Sequence, residues 1–125
     1  MPNIRNPEWP LHDHLEDLST GFVAACGRGN PAECANFYTE DAIVLYPGGV
    51  ITSGRAALEA AYQEFFGNGG GITALTTFKS EFNGSLGFAA QTVHSAGPDR
   101  TVMLALRREP DGQWRVCMQA VVGSA

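Results

Sequence analysis

The amino-acid sequence predicts an α+β fold in which three N-terminal helices pack on one face of an antiparallel sheet. Three observations predict it. Apolar residues recur at helical spacing in separate segments before Gly67. After Gly71 the sequence changes to long β-rich runs. Short Gly-, Pro- and Asp-containing segments separate these runs, and long strands joined by tight turns form an antiparallel meander.

The first helix is indicated by an apolar stripe, and the boundary between the first two helices by the residues at their ends. The first helix has an apolar stripe at spacings of three and four residues, formed by Leu11, Leu15, Leu18, Phe22 and Cys26. Gly27 and Gly29 are expected to end it. Asn30 can cap the second helix, Pro31 suits its first position, and Glu33 completes a capping box.

A hairpin and a third helix are predicted next. The polar segment 39–41 is expected to end the second helix, and strands are expected at Ala42–Tyr46 and Val50–Thr52 around a Pro-Gly-Gly turn. The third helix should run from about Arg55 to Gly67. One face of this helix is apolar and carries Leu58, Ala61, Tyr62, Phe65 and Phe66. The four meander strands are Ile72–Phe82, Leu86–Ser95, Thr101–Glu109 and Trp114–Val122.

Composition narrows the classes of function. The 125 residues, 44% hydrophobic, predict one domain over residues 1–125, with 1–10 as an N-terminal extension. A net charge of −5 argues against nucleic-acid binding. With no apolar run near the ~18 residues of a membrane span and no signal-peptide pattern, we expect a cytoplasmic protein without a membrane partner.

The metal-binding residue types form no recognisable pattern. The three cysteines contain no C-x-x-C pair, so neither a disulfide framework nor a zinc site is expected. His12 and His14 do not share a helix face. We therefore expect no metal and no cofactor.

The order of motifs along the chain resembles the nuclear transport factor 2-like superfamily. The matching runs are Gly29-Asn30, Phe37-Tyr38 through Asp41-Ala42 to Pro47, Gly54-Arg55 with Ala57-Leu58, and Asp111-Gly112-Gln113-Trp114-Arg115-Val116. The resemblance extends from about Leu11 to Val121. It implies a cystatin-like cone, in which a strongly bent sheet wraps around three helices and encloses an apolar cavity. These motifs specify the fold, and the superfamily includes SnoaL-like cyclases, ketosteroid isomerases, dehydratases and non-catalytic association domains.

The catalytic residues of the ketosteroid isomerase branch of this superfamily are a tyrosine and two aspartates. The positions that match them hold Phe22, Tyr46 and Leu104 in this chain. Moving a proton between neighbouring carbons requires a carboxylate or an equivalent base. Since none is present at these positions, the resemblance does not imply ketosteroid isomerase activity.

The cavity-facing pattern of the superfamily implies a different set of site residues. Tyr46 and His94 are the candidate catalytic residues, an oxyanion donor and a general base. Ligand contacts are implied for Phe22, Thr92, Leu104, Leu106, Cys117 and Gln119, and the same pattern on the last strand includes Arg115. A shift of one residue would instead bring Gln91, Met103 or Met118 to the cavity. Structural roles stay open: a strand aromatic for Tyr46, an exposed strand end for His94, a buried thiol for Cys117 and a structural hydrogen bond for Gln119.

Three functions follow from this interpretation. One is an isomerase, cyclase or dehydratase that acts on a small hydrophobic carbonyl or hydroxyl compound. Another is non-catalytic binding of a small apolar molecule. The third is association as a homodimer through the sheet face that bears Val93, Met103, Val116 or Met118, as the resemblance implies.

Overall fold

A computed structural model describes the backbone of residues 11–122 and the side chains from His14 to Val122; the predicted N-terminal extension and the side chain of His12 lie outside this range. The helices are α1 (Leu11–Gly27), α2 (Pro31–Ala35) and α3 (Arg55–Gly67). The strands are β1 (Tyr38–Leu45), β2 (Ile51–Ser53), β3 (Ala74–Asn83), β4 (Leu86–His94), β5 (Arg100–Arg108) and β6 (Trp114–Val122). The predicted α+β class is confirmed. Among the described helices, none has the length and apolar character needed to cross a membrane.

All six strands belong to one sheet, in the order β2-β1-β6-β5-β4-β3. Every neighbouring pair is antiparallel except β1 and β6, which are parallel. The predicted antiparallel sheet is therefore confirmed except at this pair, where the last meander strand runs beside β1 in the same direction. The pairings β1–β6, β3–β4 and β5–β6 each contain a register shift, and such bulges bend a strand.

Strand β1 begins four residues earlier than the sequence indicates. Segment 39–41, which was expected to end the second helix, is part of this strand, since α2 already ends at Ala35. Tyr38 pairs with Val116, and the register shifts before Ile43 pairs with Met118. Within the shift, Thr39 is buried and donates a hydrogen bond to a carboxylate oxygen of Asp41 at 2.7 Å. Pairing with a distant strand therefore outweighs the local polarity of this segment.

The start of α2 confirms the predicted cap. The Asn30 side-chain oxygen accepts a hydrogen bond from the backbone N–H of Glu33 at 3.1 Å. Its Nδ2 donates to the Glu33 carboxylate at 2.9 Å. Arg28, just after α1, pairs with the same carboxylate. These contacts set the sharp change of direction between α1 and α2.

The core forms where the helices meet the inner face of the sheet, which we define as the face that carries the helices. One buried cluster joins the ends of α1 and α2 to β1 and α3 and contains Ala25, Cys34, Tyr38, Val44 and Leu58, among others. A second joins α1 to the meander and contains Leu15, Ala89, Val102, Leu104, Leu106 and Trp114. The cavity described below lies between the two clusters.

Arg55 ties the start of α3 to the irregular part of β1. Its Nε and Nη2 donate to the backbone carbonyl of Tyr38 at 3.1 and 2.7 Å. Next to it, the N–H of Gly54 donates to the carbonyl of Ala42 at 2.7 Å, with Gly54 at a φ of 92° that favours glycine. The Gly-Arg motif of the sequence therefore has a structural role at the bulge of β1.

Replacing Arg55 with Met should destabilise the fold, because the Tyr38 carbonyl then loses both of its side-chain donors. We expect the free energy of unfolding in urea to fall by about 1–3 kcal/mol. Arg100→Met, at an exposed position on β5, serves as the matched control and should change it by less than about 0.5 kcal/mol. Equal effects of the two substitutions would contradict this role of Arg55.

Candidate ligand-binding site

A cavity lies between α1, α3 and the inner face of the sheet. Its walls are largely apolar and include Leu15, Leu18, Phe22, Val102, Leu104 and Leu106. Five polar side chains also line it: Ser19, Tyr38, Tyr62, Gln91 and Gln119. The centres of water-sized molecules can occupy about 80 Å³ of it. At roughly 10–15 Å³ for each water, the cavity accommodates several waters or one small organic ring.

At one side of the cavity, two tyrosines and a glutamine form a hydrogen-bonded chain. The Tyr38 hydroxyl donates to Oε1 of Gln119 at 2.7 Å. Because that proton is used, the 2.7 Å contact between the two hydroxyls is a hydrogen bond from Tyr62 to Tyr38. Among the described residues, Nε2 of Gln119 has no partner. Gln119 therefore presents two N–H donors at the cavity wall.

At the other side of the cavity, the amide of Gln91 is bonded through its nitrogen, whereas that of Gln119 is bonded through its oxygen. Its Nε2 donates to the hydroxyl of Ser19 on α1 at 3.1 Å and to that of Thr77 on β3 at 3.0 Å. These two bonds use both hydrogens of the amide nitrogen. Oε1 then remains as an acceptor without a partner among the described residues. Gln91 is 3% exposed as a residue, and its Oε1 is not among the described atoms that are both fully buried and unpartnered, so a water-sized group can reach it.

Among the residues that the structure describes, the cavity lining contains no charged side chain and no histidine. Tyr38 and Tyr62 are its titratable groups, and burial raises the pKa of both above the ordinary value of 10.0. Both are therefore neutral hydrogen-bonding groups near physiological pH. Within the part of the chain that the structure describes, no group of three or more His, Cys, Asp or Glu residues could hold a metal ion.

The structure places several sequence-predicted residues at the cavity and moves others away. Phe22, Leu104, Leu106 and Gln119 line the wall. The prediction that Thr92 and His94 face the cavity is wrong, because β4 turns Gln91 and Val93 inward instead. Small and polar residues occur on both faces of β4. The alternation of residue types along this strand therefore did not show which face is turned to the cavity.

His94 lies in a polar setting at the end of β4. Its Nε2 is 3.0 Å from the hydroxyl of Thr76, and its Nδ1 is 3.2 Å from the carboxylate of Asp99. Tyr46 lines a separate, shallow hollow beside α3 whose boundary with the cavity is formed by Tyr62. Tyr46 directly follows β1, and strands β6 and β5 lie between β1 and the strand of His94. The structure does not bring Tyr46 and His94 together, and their catalytic roles stay predictions without a shared cavity.

A bulge explains why Cys117 does not line the cavity. The register changes between the pairs Leu106–Val116 and Ala105–Met118. As a result, Val116 and Gln119 both face inward although they are three positions apart. Cys117 falls within the bulge, where its thiol donates to the carbonyl of Ala105 at 3.4 Å, and burial raises its pKa. Its predicted place in the cavity is therefore wrong.

Arg115, which the same pattern aimed at the cavity, belongs to a charged hollow outside it. Arg107 pairs with Asp41 at 2.9 Å. Arg115 pairs with Asp111 at 2.9 Å and with Glu109 at 3.2 Å. Arg55 also pairs with Glu40 at 3.8 Å, so every arginine that lines this hollow has a carboxylate partner.

Sequence reasoning missed Tyr38, Tyr62 and Ser19 as residues of the cavity and reached Gln91 only as an alternative. Tyr62 was assigned to the apolar face of α3, and Tyr38 to a fold motif. A useful signal was present, because a tyrosine in the core of a domain must find a hydrogen-bond partner. The partner of the two tyrosines, Gln119, could not be identified without the strand order, because it lies on the last strand of the chain.

No family model matches this chain, and no curated protein matches it. Its structure is similar to several solved ones. A domain of unknown function with a cystatin-like fold from Nostoc punctiforme has a TM-score of 0.77 at 15% identity, over 91% of this chain and 77% of that one. A ketosteroid isomerase-like protein from Erwinia carotovora atroseptica has a TM-score of 0.71 at 15% identity, over 89% and 95%. An NTF2-like protein with a cystatin-like fold from Novosphingobium aromaticivorans has a TM-score of 0.64 at 16% identity, over 88% and 79%.

At these identities the comparison establishes the fold. The chain has the cystatin-like fold of nuclear transport factor 2-like proteins. This confirms the fold that the turn and core motifs of the sequence implied. The same fold is shared by the ketosteroid isomerase-like neighbour, but function depends on the residues at the site.

Raising the pH above about 10 should destabilise the fold through the buried tyrosines. In the unfolded chain these groups lose their protons near 10.0, whereas in the native state they keep them. The unfolded state then binds fewer protons, so the free energy of unfolding decreases as pH rises. Tyr62→Phe removes one such group and should reduce the decrease by up to about 1.4 kcal/mol per pH unit. Urea unfolding from about pH 8 to about pH 11 measures it; an unchanged slope would contradict the assignment.

Proposed function

We propose that this protein binds a small, uncharged and mostly apolar molecule in the cavity. The observation that carries the proposal is an apolar wall interrupted by two amides, each with unpaired hydrogen-bonding capacity. Ligand sites commonly combine an apolar lining with a few oriented polar groups. Here Gln91 and Gln119 supply those groups.

The absence of charge from the described lining defines which molecules suit the cavity. A buried ion without a counter-charge has a large desolvation cost. A neutral molecule avoids that cost and gains from removing apolar surface from water. The volume of about 80 Å³ favours a compact molecule over a multi-ring one.

Catalysis is the alternative that the resemblance suggests, as an isomerase, cyclase or dehydratase for a small hydrophobic carbonyl or hydroxyl compound. The likeness to a ketosteroid isomerase-like protein is consistent with it at the level of the fold. A general base needs a pKa near the working pH. The tyrosines of this cavity have raised pKa values instead, so the lining favours binding without chemical change.

We also propose that the protein self-associates through the outer face of the sheet, opposite the cavity. Strand register places one apolar row across four strands, formed by Phe88, Ala105, Met118 and Ile43. A neighbouring row contains Ala90, Met103, Ala120, Leu45 and Ile51. Met103 is 54% exposed and Met118 is 49% exposed. An extended apolar face of this kind favours a protein partner, and a second copy of this chain is the partner that the resemblance implies.

Two residues expected on that face have other positions. Val93 and Val116 line the cavity on the inner face. Of the four residues expected on the dimer face from the sequence, Met103 and Met118 remain on the outer face. Ligand binding and dimerisation use opposite faces and are compatible.

Filling the cavity should abolish ligand binding. Leu104→Trp places a larger side chain in the wall, and we expect titration with cyclohexanone, followed by NMR chemical shifts, to show no saturable binding. Thermal unfolding checks that the variant folds, since overpacking costs typically about 1–3 kcal/mol. Met103→Trp, on the adjacent residue of the same strand but the opposite face, is the matched control and should bind like the wild type.

Three results bear on this proposal. Wild-type binding that is lost in Leu104→Trp and retained in Met103→Trp supports it. Equal binding by both variants would place the ligand outside the cavity and overturn it. A chemically altered compound recovered after incubation with the wild type would favour the catalytic alternative over binding alone.

A charge placed in the outer face should break the dimer. Sedimentation velocity at micromolar concentration is expected to give a dimer for the wild type and a monomer for Met103→Lys, because burying an unpaired charge in an apolar interface is costly. Ala24→Lys, at an exposed position on α1, adds the same charge elsewhere and should stay dimeric. A monomeric wild type would contradict self-association.

A further inference from the structure

We infer that the ligand is a neutral molecule about the size of one six-membered ring, with a hydrogen-bond donor at one end and an acceptor at the other, held between Gln91 and Gln119. This inference rests on the proposed binding function. It goes further by specifying the polarity of each end of the ligand. The argument depends on how the two amides are held.

Gln91 is held by two hydroxyl acceptors that belong to different elements. Ser19 is on α1 and Thr77 is on β3, and both accept hydrogen bonds from Nε2. Rotation of the amide is therefore resisted from two directions. The free group is Oε1, which accepts hydrogen bonds and donates none. The end of the ligand next to Gln91 must carry an O–H or N–H.

Gln119 is held with the opposite polarity. Tyr38 donates to its Oε1, and Tyr62 holds the Tyr38 hydroxyl in place by donating to it. Burial keeps both tyrosines protonated by raising their pKa, so this direction of donation persists near neutral pH. The free group is Nε2, which donates hydrogen bonds and accepts none. The end of the ligand next to Gln119 must carry a carbonyl or another acceptor oxygen.

Strand register separates the backbone positions of the two glutamines. Gln91 pairs with Val102 on β5, and Gln119 pairs with Leu104 on the same strand. The two glutamines are thus two strand spacings and two residues apart, or roughly 12 Å between Cα atoms. Leu104 and Phe22 line the wall of the same cavity. A ring with polar groups at its two ends matches this arrangement, and a molecule with adjacent polar groups does not.

Matched small ketones test the polarity of the Gln91 end. 4-Hydroxycyclohexanone carries a donor and an acceptor at opposite ends, and 4-methylcyclohexanone replaces the hydroxyl with a methyl group of similar size. NMR titration of the full chain gives the ratio of their affinities. Comparing this ratio between variants cancels the different hydrophobicities of the two compounds.

Gln91→Met removes the acceptor with little change of volume. We expect it to lower the affinity ratio of the hydroxy to the methyl compound about fivefold to tenfold, the effect of one lost hydrogen bond. Gln63→Met, at an exposed position on α3, is the matched control and should leave the ratio unchanged. If Gln91→Met does not alter the ratio, the inferred polarity of this end is wrong.

The acceptor end of the ligand, next to Gln119, can be tested in the same way, also if Gln91→Met does not fold. Gln119→Met should lower the affinity of 4-hydroxycyclohexanone relative to cyclohexanol, which keeps the hydroxyl and lacks the carbonyl, by a similar factor. The same ratio in Gln63→Met should equal that of the wild type. An unchanged ratio in Gln119→Met would overturn the inference for the acceptor end.

Failure of this inference can be told apart from failure of the proposed function. Methylcyclohexane has neither polar group and tests the apolar cavity alone. If methylcyclohexane and the ketones all leave the signals of cavity residues unperturbed, the cavity binds no such molecule and the proposed function fails. If they bind but neither glutamine changes the affinity ratios, only the polarity assigned here fails.

Discussion

The parallel pairing of β1 with β6 is the contact on which the rest of the structure depends. It joins the segment after α2 to the last strand of the chain and closes the cavity at one side. The pairing is irregular, with a register shift between Tyr38 and Ile43, and Arg55 satisfies the Tyr38 carbonyl there. The same pairing brings the Tyr38 hydroxyl to Gln119, so strand pairing and site geometry have one origin.

The protein separates charge from its interior. Arginines and carboxylates pair with one another in the outer hollow formed by Arg107, Arg115 and their acidic partners. The cavity is lined by apolar side chains and neutral polar groups. Under the proposed function, such a cavity selects among neutral molecules by shape and by hydrogen-bond polarity, since the described lining offers no ion pair. Pairs of neutral groups also keep their orientation across the physiological pH range.

Much of the fold could be predicted from the sequence, and less of the site. The caps, turns and periodic runs located the helices and the meander within a few residues, because these signals are local. The wall positions Phe22, Leu104 and Leu106 were reached by resemblance to a known fold. Thr92, His94 and Cys117 were misplaced, because a single bulge or a one-residue shift reverses the face of every following side chain.

The sequence by itself determined the α+β class, the capped start of α2 and the apolar character of the strands that form the cavity. Only the tertiary structure decided that Gln91 and Gln119 face the same cavity and that Tyr38 and Tyr62 orient one of them. The physical reason is that these contacts join residues far apart in the chain, on α3, β1, β4 and β6. Their geometry depends on strand order and on bulges, which local sequence patterns do not encode.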